Sequence, residues 1–239
     1  MDRGKLDTAI AALVAQLGGS TTPPSVVLYG SAARGDWIPW RSDVNLLVVV
    51  DDPSPASLAT LTPAVTAWAD AGFTPPLIIG RTEWDRAADV FPIEITDMRT
   101  AYRVLLGSDP VSVLEVNDND LRRAVEAELR ATLIRLRQAY VRFGKMMPTL
   151  GGFATSSVAT LLVLLRCTVV LLHRSAGKEP ADTIAALADE LGADRQVVVE
   201  LAAHRREHKW SCPPEMFARY LEVVRRAVDL VDHIEHGDR

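Results

Sequence analysis

The 239-residue sequence predicts an α/β N-terminal half, with a mixed sheet and flanking helices, followed by an all-α helical bundle. In the first half, short apolar and β-branched runs alternate with helical patterns, which is typical of a sheet flanked by helices. Beyond about residue 120 only the helical period remains. Turn residues in the stretch LEVNDNDLRR separate the two patterns. We therefore expect the boundary within residues 112–120 and domains at 1–115 and 116–239.

The elements of the first half follow from apolar spacing and from the residues that end helices. Gly18-Gly19 ends the first helix, and Pro63 predicts an irregular first half for the second. The predicted strands are Val26–Tyr29, Val44–Val50, residues 74–80 and Val90–Met98. The predicted helical segments are residues 5–17, Ser57–Ala71 and 81–88.

The second half shows five helical patterns. One of them, Phe153–His173, is apolar on nearly every face and is expected at the buried centre of the bundle. A break is expected at Gly144–Gly152. The other predicted helices are Asp120–Phe143, Pro180–Leu191, Asp194–Arg206 and Pro214–His236.

The composition is that of an ordinary globular protein, with 48% hydrophobic residues, 24% charged residues and a formal net charge of −5. This charge argues against nucleic acid as the main partner. Cys167 and Cys212 are too few for a disulfide framework, so reduced thiols are expected. The N-terminus lacks a signal-peptide pattern, and the apolar stretch Val158–Leu172 contains Arg166 and is too short to span a bilayer. We expect a soluble, cytoplasmic protein without membrane association.

Residues 25–50, SVVLYGSAARGDWIPWRSDVNLLVVV, carry the candidate chemistry. Gly30 allows close approach of the backbone to a phosphate. Ser31 begins a short helical turn whose N–H groups and hydroxyl suit phosphate oxygens. Arg34 or Arg41 can add charge-assisted hydrogen bonds. The alternative is an ordinary strand pair with a glycine turn and a helix-capping serine.

The second strand of this segment is expected to present Asp43 and Asn45 on one face, because strand side chains alternate. Asp43 offers the hard oxygen that Mg²⁺ prefers. Together with the Gly-Ser turn, this pattern predicts a site that holds a triphosphate over a metal ion. Trp37 and Trp40 flank it, and each either stacks on a base or sugar or anchors the loop.

The segments YGS at residues 29–31 and DVNL at residues 43–46 resemble the signature of the polymerase-β-like nucleotidyltransferase superfamily. GSAARG and SDVNLLVVV are especially similar to small prokaryotic two-domain members, the minimal and aminoglycoside nucleotidyltransferases. The resemblance implies Mg²⁺-dependent transfer of a nucleoside monophosphate from a nucleoside triphosphate, with ATP favoured, to an acceptor hydroxyl, releasing pyrophosphate. It also implies that the α/β half binds nucleotide and metal while the helices close over the acceptor.

The same resemblance assigns roles to individual residues. Gly30, Ser31 and Arg34 would bind the nucleotide. Asp43 and Glu94, the latter in the predicted strand Val90–Met98, would be catalytic metal ligands together with the residue at position 45. Asp97 is the second choice for the third carboxylate, and a glutamate facing solvent from an edge strand is the alternative. After this strand the resemblance implies a short helix within RTAYRVLLGSDPV.

Asn45 stands where the superfamily has its second carboxylate. Its amide oxygen can ligate a cation but brings no negative charge, which lowers the expected metal affinity and makes a two-metal site doubtful. The rival function is therefore a catalytically degraded nucleotide-binding or regulatory protein, and a third is a structural partner protein that binds neither. The acceptor could be an antibiotic-like molecule, a protein side chain or an RNA end, and the oligomeric state stays open.

Two histidine patterns in the helical half have both functional and structural explanations. Arg166 and His173 match the loose Arg-to-His spacing of HEPN ribonucleases, but a histidine also suits the last turn of a helix. His204 and His208 have a spacing that can hold zinc on a helix. A solvated basic helix end is the favoured explanation of the second pattern.

Overall fold

The computed structural model describes residues 2–175, 177, 179–207 and 209–234. The chain divides into two compact units, Met1–Glu115 and Val116–Arg239. The first contains a mixed four-stranded sheet with flanking helices, and the described part of the second is helical. The predicted fold class is therefore confirmed.

The first unit places two buried strands at the centre of its sheet. Its elements are α1 (Arg3–Gly18), β1 (Ser25–Tyr29), α2 (Ser31–Arg34), β2 (Asn45–Val50), α3 (Pro55–Ala59), α4 (Thr62–Asp70), β3 (Leu77–Gly80), α5 (Arg81–Trp84), α6 (Pro92–Thr100) and β4 (Tyr102–Leu106). The strand order is β3-β2-β1-β4, with β2 and β3 parallel and the other pairs antiparallel. Because β1 and β2 are both central, nearly all of their residues are buried.

The sheet register fixes which strand ends meet. Tyr29, the last residue of β1, pairs with Asn45 on β2 and with Tyr102 on β4. The end of β1 and the beginnings of β2 and β4 therefore lie side by side, where these strands end. The chain leaves β1 at this point through Gly30 and enters α2.

Two predictions in the first unit can be compared directly with the structure. The helix predicted at Ser57–Ala71 is divided into α3 and α4, with Pro63 in the first turn of α4, as expected from a proline at that position. The strand predicted at Val90–Met98 is wrong, because Pro92 begins helix α6 instead. Ile95 and Met98 are three residues apart and both buried, which is the spacing of a helix face.

The short helix that the family resemblance implies within residues 99–111 is also wrong in position. Residues 102–106 form β4, which pairs with β1, while the helix ends at Thr100. Apolar and polar residues in RVLL fit either structure when read alone. Strand pairing with β1 supplies the backbone hydrogen bonds that decide between them.

The second unit is built around its longest apolar helix. The elements are α7 (Asp118–Phe143), α8 (Met147–Leu171), α9 (Pro180–Ala186), α10 (Ala188–Leu191), a 3₁₀ turn (Ala193–Arg195), α11 (Gln196–His204) and α12 (Pro214–Asp232). The break between α7 and α8 is much shorter than the expected Gly144–Gly152. The helix expected at Pro180–Leu191 divides into two, and residues 235–236 of the last predicted helix lie outside the described residues.

Helix α8 has 25 residues and, among the described helices, is long and apolar enough to cross a membrane. This test of length and composition applies to the whole helix, of which the apolar stretch considered in the sequence covers only the second part. In its most apolar window 67% of the residues are buried inside the structure. Most of its length packs in the interior, as the sequence predicted for the centre of the bundle.

Helix α8 lies close to the chain before α12 at Gly151. A Cβ atom on Gly151 would overlap the carbonyl oxygen of Trp210, and nearby the Cys212 amide donates to the Met147 carbonyl at 3.0 Å. The next residue, Gly152, has open space around the position of a Cβ atom. The two adjacent glycines therefore form a matched pair for testing this contact.

We expect Gly151→Ala to lower the free energy of unfolding by roughly 1–3 kcal/mol, because the added methyl group overpacks the contact with Trp210. Gly152→Ala is the control and should stabilise by about 0.4–1 kcal/mol, because alanine limits the unfolded chain and favours helix. Urea unfolding followed by circular dichroism measures both. Equal effects of the two substitutions would contradict the close contact.

Candidate functional site

The turn between β1 and α2 has a backbone conformation that favours glycine. Gly30 has φ +70° and ψ −149°, and Ser31 begins the helix directly after it. A Cβ atom on Gly30 would lie 2.9 Å from Nδ2 of Asn45, which is tighter than real side chains allow. The positive φ favours glycine here, and a Cβ atom would also displace the Asn45 amide that packs against the turn. The structure brings Gly30, which directly precedes Ser31, against Asn45.

Asp43 lies just before β2 rather than within it, so strand alternation does not determine where its side chain points. Its exposed carboxylate accepts a hydrogen bond of 3.0 Å from the Thr74 hydroxyl, in the loop between α4 and β3. Asp43 and Thr74 both line a polar cavity of about 240 Å³. The sequence contained no signal for Thr74, because a contact between residues so far apart leaves no local pattern.

The two tryptophans of the loop have different roles. Trp37 is 9% exposed, and its indole N–H donates to the Ser42 carbonyl at 2.8 Å, so it anchors the loop. Trp40 is 70% exposed, has φ +66° and lines the same cavity as Asp43. The backbone N–H of Ser42 also donates to the Ile38 carbonyl, at 2.9 Å, which closes the turn that presents Trp40. Of these two tryptophans, Trp40 is the one exposed enough to stack on a ligand.

Glu94 and Asp97 lie on helix α6, so the expectation of a third carboxylate on a strand is wrong in its secondary structure. Glu94 is exposed in the first turn, whereas Asp97 is buried. Burial raises the pKa of Tyr29, and the negative charges of Glu94 and Asp97 raise this pKa further. Both carboxylates therefore act electrostatically on the residue that precedes Gly30.

Arg34 is held inside the protein by two aspartates. Its side chain is 6% exposed, with Nε 3.3 Å from Asp36 and Nη1 3.6 Å from Asp97. Among the described atoms, Nη1 is buried without a hydrogen-bond acceptor. These ion pairs connect the end of α2 to α6. Binding of nucleotide by Arg34 stays a prediction, and the pairs show that its charge is already balanced within the protein.

The three residues predicted as metal ligands supply oxygen donors of the kind that Mg²⁺ prefers. Within the described ranges, no group of three or more His, Cys, Asp or Glu residues could hold a metal ion. Asp43 supplies a carboxylate, Asn45 an amide oxygen, and Glu94 is a further candidate from α6. Mg²⁺ is commonly bound by one or two carboxylates, with water and substrate phosphates completing its shell. This donor set fits that arrangement.

The structure does not place Arg166 and His173 on a common surface, as the nuclease explanation would require. Arg166 is 4% exposed within α8. His173 follows the end of that helix, has φ +53°, and its 80% exposed ring lies 3.8 Å from Asp118. A buried arginine and a solvent-facing histidine do not form a common catalytic surface.

The second histidine pattern can be compared with the structure only in part, because His208 lies outside the described residues. The Nδ1 atom of His204 lies 2.7 Å from the carboxylate of Glu207, and its ring stacks on Trp210 with a centroid separation of 4.2 Å. These contacts explain His204 as part of a surface cluster at the end of α11.

The comparison with known families bears on the same segment as the geometry. Residues 12–102 match the family model described as a nucleotidyltransferase domain. The match supports the nucleotidyltransferase superfamily, nucleotidyl transfer as the general reaction and a nucleoside triphosphate as the general substrate. Divalent metal ions are the general cofactor of such domains. No curated protein matches the chain.

The matched segment covers less than half of the chain and runs from within α1 to the beginning of β4. It includes the Gly-Ser turn, both positions of the Asp-x-Asn motif, and α6 with its two carboxylates. The helical unit lies outside the match.

We expect Gly30→Ala to destabilise the protein by roughly 1–3 kcal/mol, because alanine at this φ is strained and its methyl group would displace the Asn45 amide. Gly35→Ala is the matched control, since Gly35 also has a positive φ, +103°, but has nothing within 4 Å of its Cβ position. Urea unfolding of Gly30→Ala, Asn45→Ala and the double variant completes a cycle. Additive effects in this cycle would contradict the contact.

Proposed function

We propose that the protein is a Mg²⁺-dependent nucleotidyltransferase of the small, two-domain prokaryotic type. It transfers a nucleoside monophosphate from a nucleoside triphosphate, ATP being favoured, to an acceptor hydroxyl. The observation that carries this proposal is the match of residues 12–102, because that segment contains the Gly30-Ser31 turn packed against Asn45. We also propose a cytoplasmic location, which the two buried, free cysteines support.

The proposed roles follow the positions of the side chains. The Ser31 hydroxyl and the N–H groups at the beginning of α2 donate to phosphate oxygens. Asp43, Asn45 and Glu94 would hold Mg²⁺, and the ion would supply positive charge to balance the transferred phosphoryl group and pyrophosphate. The exposed indole of Trp40 stacks on a planar ring of a substrate.

The reaction in this proposal is a single displacement at the α-phosphorus. The acceptor oxygen forms a bond to this phosphorus while the bond to the bridging oxygen breaks, and pyrophosphate leaves with that bonding pair. The acceptor hydroxyl releases its proton to solvent. The contribution of the chain is to position the triphosphate and to supply fixed charges and donors around it.

A second function, nucleotide binding without transfer, is favoured by one observation. Asn45 contributes no charge, and the described residues contain no preformed acidic metal group. A protein of this kind would bind a nucleoside triphosphate at the same turn and act as a regulator. Measurement of pyrophosphate release separates the two functions.

Nucleotide binding at the turn is tested by titrating ATP and the other nucleoside triphosphates with Mg²⁺ in a calorimeter. We expect Ser31→Ala to weaken binding by roughly tenfold, the effect of about 1.5 kcal/mol lost with one hydrogen bond to a charged group. Ser20→Ala is the control, because Ser20 precedes β1 and so lies beyond the other end of that strand. Equal affinity of wild type and Ser31→Ala would contradict the assignment, as would a folded wild type that binds no triphosphate.

The role of Asn45 is tested by restoring a carboxylate. If the wild type is a weakened metal site, Asn45→Asp should raise Mg²⁺ affinity and accelerate transfer by on the order of 10²-fold, because the new charge stabilises the transition state through the metal. Calorimetry and pyrophosphate release with a panel of hydroxyl acceptors measure both effects. Asn119→Asp, at the beginning of α7, adds the same charge elsewhere and serves as the control.

Three outcomes distinguish the functions. Transfer by Asn45→Asp alone, with nucleotide binding by both forms, identifies the wild type as a degraded enzyme. Faster turnover by the wild type makes Asn45 a working part of the active site, since two close carboxylates raise each other's pKa. Absence of Mg²⁺ and nucleotide binding in both folded forms contradicts the whole assignment.

A further inference from the structure

A groove between α7 and α8 in the helical unit has the size of a small-molecule site. Its volume is about 450 Å³, within the usual range of roughly 300–1,000 Å³ for ligand pockets. The floor includes Leu136 and Ala139, which are almost fully buried. Ala139 on α7 and Ser157 on α8 are small, and so leave space between the helices.

One end of the groove presents an aromatic surface. The rings of Phe143 and Phe153 stack with a centroid separation of 5.7 Å and an interplanar angle of 22°. Phe153 is nevertheless 39% exposed, so the pair is not covered by the described part of the unit. The guanidinium of Arg142 lies 4.9 Å from the centre of the Phe143 ring. Stacked rings with an open face favour a planar, unsaturated ligand.

The charge along the groove has one sign. Arg135 and Arg142 both line it, and a separation of seven residues places them on the same face of α7. Among the described lining residues none is acidic. The carboxylate of Glu128, outside the lining, is 3.9 Å from Arg135, and both side chains are more than half exposed, so this pair compensates little charge. The lining is therefore complementary to an anion.

Hydroxyl groups complete the polar lining. The Thr132 hydroxyl accepts a hydrogen bond of 3.0 Å from Arg135, which orients that guanidinium beside the groove. Ser157 shares a hydrogen bond of 3.0 Å with the buried hydroxyl of Tyr220, which fixes the floor on the α8 side. Ser156 and Thr160 are exposed at the rim of the groove. These groups suit the oxygen atoms of a carboxylate or phosphate.

We propose that this groove binds a small aromatic anion, with the ring against the Phe143–Phe153 pair and the anionic oxygens between Arg135 and Arg142. Arginine matches this ligand class because its planar group donates to carboxylate or phosphate oxygens in pairs and stacks on aromatic rings. The site lies within the helical unit and outside the segment matched by the nucleotidyltransferase family. It does not depend on the proposed transferase activity.

The test uses the full chain and four probes that share a 2-naphthyl ring. They are 2-naphthoate, 2-naphthyl phosphate, neutral 2-naphthamide and cationic 2-naphthylmethylammonium. Calorimetry should show saturable binding of at least one of the two anions. The neutral and cationic probes should bind at least roughly fivefold more weakly than this anion. The preferred anion distinguishes a carboxylate from a phosphate source. Equal binding of the neutral probe, or no saturable binding of either anion to folded protein, would overturn the proposal.

Matched variants locate the binding. Arg142→Gln and Arg135→Gln should each lower the affinity for the anionic probe by roughly fivefold or more. Each substitution removes a positive charge that faces the groove. Arg137→Gln is the control, since Arg137 is exposed on the same helix but does not line the groove. Ser156→Trp should block the groove from its exposed rim, and Ser31→Ala should leave probe binding unchanged.

Circular dichroism confirms that each variant is folded before its affinity is compared. Equal losses in Arg137→Gln and Arg142→Gln, or full binding by Ser156→Trp, would place the probe elsewhere and overturn the proposal. Sedimentation of the wild type without probe measures its oligomeric state and so tests whether a second copy of this chain occupies the groove. A dimer that Arg142→Gln dissociates, together with no probe binding, would assign the groove to a second copy of this chain.

Discussion

The antiparallel pairing of β1 with β2 is the interaction on which the candidate site depends. It places Tyr29 opposite Asn45 and so brings the Gly30 turn against the Asn45 amide. Both strands are buried on both faces at the centre of the sheet, so a shift of register by one residue would exchange the side chains that pack on the two faces. The same constraint that stabilises the core therefore fixes the position of the functional turn.

Balanced charge is the second organising feature of this region. The nearly buried guanidinium of Arg34 lies between Asp36 and Asp97, and these contacts connect α2 with α6. Breaking a buried pair by removing one partner is costly because the other charge is left unpaired. These pairs hold Arg34 in place after the turn, and binding of nucleotide by Arg34 stays a prediction. Asp97 belongs to the same network, whereas Glu94 remains exposed and accessible to a metal.

The sequence predicted well what local chemistry determines. Strong β-branched runs identified β1 and β2, Pro63 identified the break before α4, and the Gly-Ser turn was recognisable without the structure. Helix α6 was missed because Ile93 and Ile95 alternate with polar neighbours like strand residues, although Pro92 suits the first turn of a helix. The contact of Thr74 with Asp43 could not be predicted, since it depends on how α4 returns to the sheet.

The strand order also has a consequence for how the site is assembled during folding. The β1–β2 pair joins segments separated by residues 30–44, which include α2, whereas β4 must return to β1 from much later in the chain. The entropic cost of closing a loop grows with its length, so local pairs form more readily than distant ones. The turn and Asn45 can thus be in place before α6 delivers its carboxylates to Tyr29. A chain that ends before α6 would possess the turn, Asp43 and Asn45 but lack the carboxylates of Glu94 and Asp97.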